Sequence, residues 1–169
     1  MALPARWIRL GRPATRGAMM TACAGFARAQ TAEAPPAALW ARLDDDGEDG
    51  RHVFAIVAPL KFVPGRSTRW RAWALAPLVA AYRQHGLCAY ADADRICLNG
   101  RPITGVEASD AGVCAVIVAD FVPWSGGFME ALRRRIEAQY GWQFDHSWPS
   151  AEEGGAIADA MALEATGAA

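Results

Sequence analysis

Apolar residues along the chain fall into short alternating or continuous runs and longer stripes at i, i+3, i+4, which predicts strands interleaved with helices. Trp7–Leu10, Ala38–Leu43 and Arg51–Ala58 read as strands, the last rich in β-branched and aromatic residues. Val113–Ala119 is apolar throughout, within the extended segment Gly112–Val122, and predicts a strand buried on both faces. Helical spacing runs from about Ala18 to Ala32, with Met19, Cys23, Phe26 and Gln30 near one stripe and Pro35-Pro36 as its stop. A second helix, capped by Ser67, heads towards His85 on Trp70, Trp73, Ala74, Leu78, Ala81 and Tyr82. Pro77 must start, kink or break it, and Gly86 ends it. A third runs from Gly127 to Tyr140, with Phe128, Leu132, Ile136 and Tyr140 recurring at i+4 before Gly141.

Between these lie turns of different chemistry. Asn99-Gly100 is a strong hairpin signal, because both central positions of a type I′ turn need positive φ; it joins Cys88–Tyr90 and Ile96–Leu98 to Pro102–Glu107. Ala108–Ala111 reads as a further turn. Asp44–Gly50 reads as a solvated, negatively charged hairpin turn, since its acids lack the alternating spacing and distant closing glutamate of a calcium loop. Trp142, Phe144 and Trp148 are expected to pack back on the domain. From Glu152 onward the chain reads as an acidic, alanine-rich tail with Glu152 and Glu153 in solvent. The organisation predicted is a single α/β domain over 1–150 and a tail over 151–169.

Composition narrows the functional classes. The 169 residues are 53% apolar and 21% charged, with a formal net charge of -1, enough for one buried core and unlike a disordered chain. The near-zero charge removes the electrostatic case for a nucleic-acid partner, and no run approaches the ~20 apolar residues of a membrane-spanning helix. Cys23, Cys88, Cys97 and Cys114 form no C-x-x-C pair, so no metal site is expected. Cys97 and Cys114 fall in apolar runs, where a reduced cysteine packs as a small hydrophobe. Reduced thiols point to the cytoplasm. The alternative is export, with residues 1–29 as a signal peptide: Arg6, Arg9, Arg12 and Arg16 precede Ala18–Ala24, and Phe26–Gln30 imitates a cleavage site. That apolar stretch is short, alanine-rich and closed by Arg28, so the folded helix is preferred.

The stretch Asp94-Arg95-Ile96-Cys97-Leu98-Asn99-Gly100-Arg101-Pro102-Ile103-Thr104-Gly105 resembles the signature of the biotin and lipoate protein ligases: asparagine-aspartate, a short strand, N-G-R-K-[IL]-[SAT]-G and a second strand. The likeness extends weakly over most of residues 7–145 through the order of elements. It implies an α/β (α+β) fold with a mixed, mainly antiparallel sheet packed with helices, similar to the class II aminoacyl-tRNA synthetase and biotin ligase fold. The implied activity joins lipoate, octanoate or biotin to a lysine of a lipoyl or biotinyl carrier domain, through an acyl-adenylate made from ATP or from a carrier thioester. Asp94, Gly100, Arg101 and Gly105 are the implied ligand-binding positions, with glycine admitting the ligand to the backbone.

The chain departs from the pattern at three points. The motif lysine falls on Pro102, which has neither charge nor donor. The asparagine-aspartate pair falls on Asp94-Arg95, and the arginine- and glycine-rich segment is replaced by the acidic turn after Leu43. Lys61, the only lysine, is therefore the candidate catalytic cation, needed to neutralise charge developing at an acyl carbonyl. His52, His85 and His146 are dispersed and build no catalytic triad. Two functions remain expected: an enzyme of acyl or cofactor transfer, or a catalytically degenerate module that holds an acyl ligand or its carrier domain.

Overall fold

The computed structural model describes residues 1–11, 15–43 and 50–167. In chain order its elements are β1 (Leu3–Arg9), α1 (Arg16–Arg28), β2 (Ala37–Arg42), β3 (His52–Pro59), α2 (Trp70–Gln84), β4 (Tyr90–Asp92), β5 (Arg95–Leu98), β6 (Arg101–Pro102), β7 (Gly105–Ala111), β8 (Cys114–Phe121), α3 (Phe128–Tyr140), β9 (Trp142–Ser147) and α4 (Ala151–Ala165). The main sheet has the order β7-β8-β3-β2-β1-β9, and β4-β5-β6 form a small second sheet. β1 pairs in parallel with β2 and β9, and the other pairings are antiparallel.

Side-chain alternation divides the core into two layers. Phe54, Ile56 and Ala58 of β3, with Ile117, Ala119 and Phe121 of β8, face α2 and α3; Val53, Ala55 and Val57, with Cys114, Val116 and Val118, face α1. β8 is thus buried on both faces, as its apolar run predicts. Burial pushes the Cys23 and Cys114 thiols up, the latter to about 11, so neither is a reactive thiolate at neutral pH. The Asn99-Gly100 turn takes the left-handed backbone its dipeptide predicts, with φ of 54° and 77°.

Four expectations need correction. Ala108–Ala111 is not a turn but the end of β7, and the reversal falls at Gly112-Val113, where Gly112 has φ 58°. Ser67 leads a short 3₁₀ turn and leaves α2 without a side-chain cap. Trp148 stays 77% exposed rather than packing back. The acidic, alanine-rich tail from Ala151 forms helix α4, and Glu153, expected in solvent, is buried at 7% exposure. Ser150 and Glu153 cap that helix reciprocally, and Gly25 of α1 leaves the space that Ala156 and Ala160 of α4 occupy. The expected acidic turn, 44–50, lies outside the described residues except for Gly50. No described helix is long and apolar enough to cross a membrane.

Candidate functional site

The pairing register brings five strand ends to one edge of the main sheet. Arg9, Arg42 and Phe121 close β1, β2 and β8 there, while His52 and Gly105 open β3 and β7. The first turn of α1 lies on the same edge, because Arg16 reaches β7 and β8. Alternation splits this edge into two faces.

The face towards α1 carries charge. Asp120, the acid at the end of β8, accepts from Arg16 Nη1 at 3.0 Å and from the Gly105 N–H at 2.9 Å through Oδ1; its Oδ2 accepts from Arg51 Nη2 at 2.9 Å. Arg16 also donates to Glu107 at 3.2 Å. One carboxylate therefore holds two guanidinium groups over a shallow cavity of about 310 Å³ lined by Thr15, Arg16, Arg51, Glu107 and Asp120. Arg16 Nε is buried without a hydrogen-bond partner among the described residues.

Aromatic and cationic groups share the other face. Trp40 stacks on His52 with ring centroids 6.0 Å apart, Phe121 tilts against the imidazole at 5.9 Å, and Arg9 lies over the Trp40 ring at 5.0 Å. Burial lowers the His52 pKa below its ordinary value, and Arg42 and Arg9 push it the same way against the opposing bond to Gly50. His52 Nδ1 lies 2.7 Å from the Gly50 carbonyl, which can only accept. Nδ1 therefore carries the proton, and Nε2 presents a lone pair. The edge as a whole offers guanidinium donors for an oxyanion and a neutral imidazole acceptor beside an aromatic wall.

Of the site residues expected from the sequence, only Gly105 joins this cluster. Asp94 and Gly100 sit in exposed turns of the small sheet and Arg101 on its exposed strand β6. That sheet is tied to β7 through Thr104, whose hydroxyl accepts from the Ile96 N–H. Lys61 lies beyond the far end of β3, some 20 Å along the strand from the residue paired with Asp120 at ~3.3 Å per residue. There it forms an exposed ion pair with Glu33 at 2.8 Å. Sequence reasoning missed Arg16, Arg51 and Asp120, although two signals were present. Arg16 is a cation at a helix N-terminus with no acid in the first turn, an unfavourable placement unless paired. Asp120 is an acid closing an apolar strand, where burial demands partners.

No protein-family model and no curated protein sequence matches the chain. Solved structures do. A bipartite lipoate protein ligase of Thermoplasma acidophilum, studied with its E2 lipoyl domain, superposes with a TM-score of 0.79 at 10% identity, over 95% of this chain and 92% of that one. Lipoate-protein ligase A bound with ATP gives 0.77 at 11% identity, over 95% of each chain. The biotin acetyl coenzyme A carboxylase synthetase of Helicobacter pylori with bound biotinylated ATP gives 0.55 at 13% identity, over 96% of this chain and 81% of that one. The chain carries the mixed α/β fold of the lipoate and biotin protein ligases.

Proposed function

We propose that the protein handles the carboxylate of an acyl cofactor (lipoate, octanoate or biotin) for a lysine of a lipoyl or biotinyl carrier domain. The observation that carries this reading is the convergence of Arg16, Arg51 and Gly105, the motif glycine, on the Asp120 carboxylate within a ligase fold. Guanidinium groups match a carboxylate or phosphate in a planar, bidentate way, and fixed donors neutralise charge that develops on an acyl carbonyl. Neighbours of the same fold bind ATP or biotinylated ATP, and one was studied with a lipoyl domain, which supports ATP and a carrier domain as ligands here. Asp94, Gly100 and Arg101 are offered as the outer part of that site, on the hairpin leading into Gly105. The exposed Cys88 thiol fits a reducing cytoplasm.

A second reading, a module that holds the ligand without activating it, is favoured by Pro102 at the motif lysine position and by the remote Lys61. ATP–pyrophosphate exchange with lipoate, octanoate and biotin in turn, beside calorimetric titration of each acid, separates the two. Exchange with one acid establishes adenylation, while binding without exchange leaves the holder or transfer from a carrier thioester. Neither binding nor exchange with any acid removes both. Lys61→Ala is expected to leave either readout within about twofold, because its charge is screened well before it reaches Gly105.

A further inference from the structure

We propose that Arg16 supplies, from helix α1, the positive charge that Pro102 cannot, and that residue 105 is glycine in order to admit its guanidinium. The inference rests on the carboxylate-handling reading above and assigns the group that selects the carboxylate.

Space, bonding and accessibility argue for this together. A Cβ built on Gly105 would lie 1.7 Å from Arg16 Nη1, 2.9 Å from Asp120 Oδ1 and 3.0 Å from Arg16 Cζ, so any side chain there displaces the guanidinium and presses on the carboxylate that holds it. Asp120 fixes the arrangement by accepting from Arg16 and from the Gly105 N–H through the same oxygen. The cation and the motif backbone are thereby held in one place by one carboxylate. A guanidinium has five N–H donors. The bonds to Asp120 and Glu107 use two of those on Arg16, and the bond to Asp120 uses one of those on Arg51. Among the described residues, donors on both groups are left for an oxyanion in the cavity they line. Arg16 is 34% exposed, so solvent and ligand reach it.

The ligand class this selects is a monoanionic acyl carboxylate in preference to its neutral amide. The test compares octanoate with octanamide by isothermal titration on the full chain, using wild type, Arg16→Ala, Arg16→Lys and Gly105→Ala, each checked for folding by circular dichroism. Wild type is expected to prefer octanoate at least tenfold. Arg16→Ala should lose that preference while keeping its octanamide affinity, and Arg16→Lys should recover part of it. Gly105→Ala, which pushes the guanidinium aside without removing it, should behave like Arg16→Ala and serves in its place should that variant not fold. Wild-type discrimination surviving in Arg16→Ala and in Gly105→Ala overturns the assignment and leaves the carboxylate-handling reading standing. Equal wild-type affinity for acid and amide overturns the assignment too. Binding of neither compound by wild type overturns the assignment together with the reading it rests on.

Discussion

The hydroxyl of Tyr140 donates to the backbone carbonyl of Trp73, and the two rings stack with centroids 4.2 Å apart. Trp73 is four residues before Pro77, the residue whose missing N–H would otherwise have closed that helical bond. α3 thus supplies to α2 the donor that proline removes, and α2 continues through Pro77 to Gln84. Burial pushes the Tyr140 pKa well up, so the phenol remains a donor over the whole physiological range. Tyr140→Phe leaves the carbonyl unpaired and is expected to cost about 1–2 kcal/mol. In a Pro77→Ala background, where the alanine N–H can take the same carbonyl, the cost should fall by half or more. Urea unfolding of the four proteins of this double-mutant cycle measures it, and equal costs in both backgrounds would sink the pairing of Tyr140 with Pro77.

Glu153 fastens α4 to the sheet. Arg6 of β1 donates to both carboxylate oxygens at 2.7 and 2.9 Å, and Gln30 adds a bond at 2.6 Å. Burial alone would raise the Glu153 pKa; the bonds from Arg6, the Ser150 N–H and Gln30 win and bring it from 4.5 to about 2. A depressed carboxylate contributes stability that is complete above its unfolded pKa and is lost as pH falls through 4.5 towards 2. Melting temperature should therefore drop more steeply below pH 4.5 in wild type than in Glu153→Gln. At pH 7 the variant should be about 1–3 kcal/mol less stable. Parallel pH profiles for the two proteins would contradict this account.

Gly25 sits where α1 and α4 cross. A Cβ there would lie 2.6 Å from the Ala156 carbonyl oxygen and 2.9 Å from the Ala160 side chain. Alanine improves helix propensity by about 1 kcal/mol, yet the collision is with backbone, which cannot rotate away. We expect the collision to win, with Gly25→Ala destabilising by roughly 1–3 kcal/mol. A midpoint of denaturation raised by the substitution would show that α4 is free to shift on α1.

The central strands and the Asn99-Gly100 turn are legible because their signals are local, whereas Ala108–Ala111 carries turn residues and forms strand. The apolar run after Gly112 predicts the doubly buried β8, and Asn99-Gly100 predicts its own backbone. What stayed hidden depends on distant partners. Pro77 is tolerated through a donor 63 residues later, which no window on the sequence contains. The alanine and acid content of α4 suggests a solvated tail, although Ser150 and Glu153 spell a capping box; the buried role of Glu153 requires Arg6, 147 residues earlier. At the site, the motif marked Gly105 but not the group above it. Arg16 lies in the stretch that imitates a targeting segment, and only the fold brings it to Gly105.

His52 tests the electrostatics of the site edge directly. Burial between Trp40 and Phe121, with Arg42 and Arg9 nearby, lowers its pKa from the ordinary 6.5. The imidazole is then neutral at pH 7, and the proposed carboxylate site relies on the Arg16 and Arg51 guanidinium groups. Octanoate affinity should consequently vary less than about twofold between pH 6.5 and 8, since arginine does not titrate there. The linked stability has a defined sign: it is complete above 6.5 and is lost as pH falls from there towards the folded pKa. An NMR titration of the imidazole C2 proton should give a midpoint below 6.5, and Arg42→Ala, which removes one of the opposing charges, should raise it. A midpoint above 6.5 would mean that His52 carries charge at the edge near neutral pH and adds to the anion attraction proposed for Arg16 and Arg51.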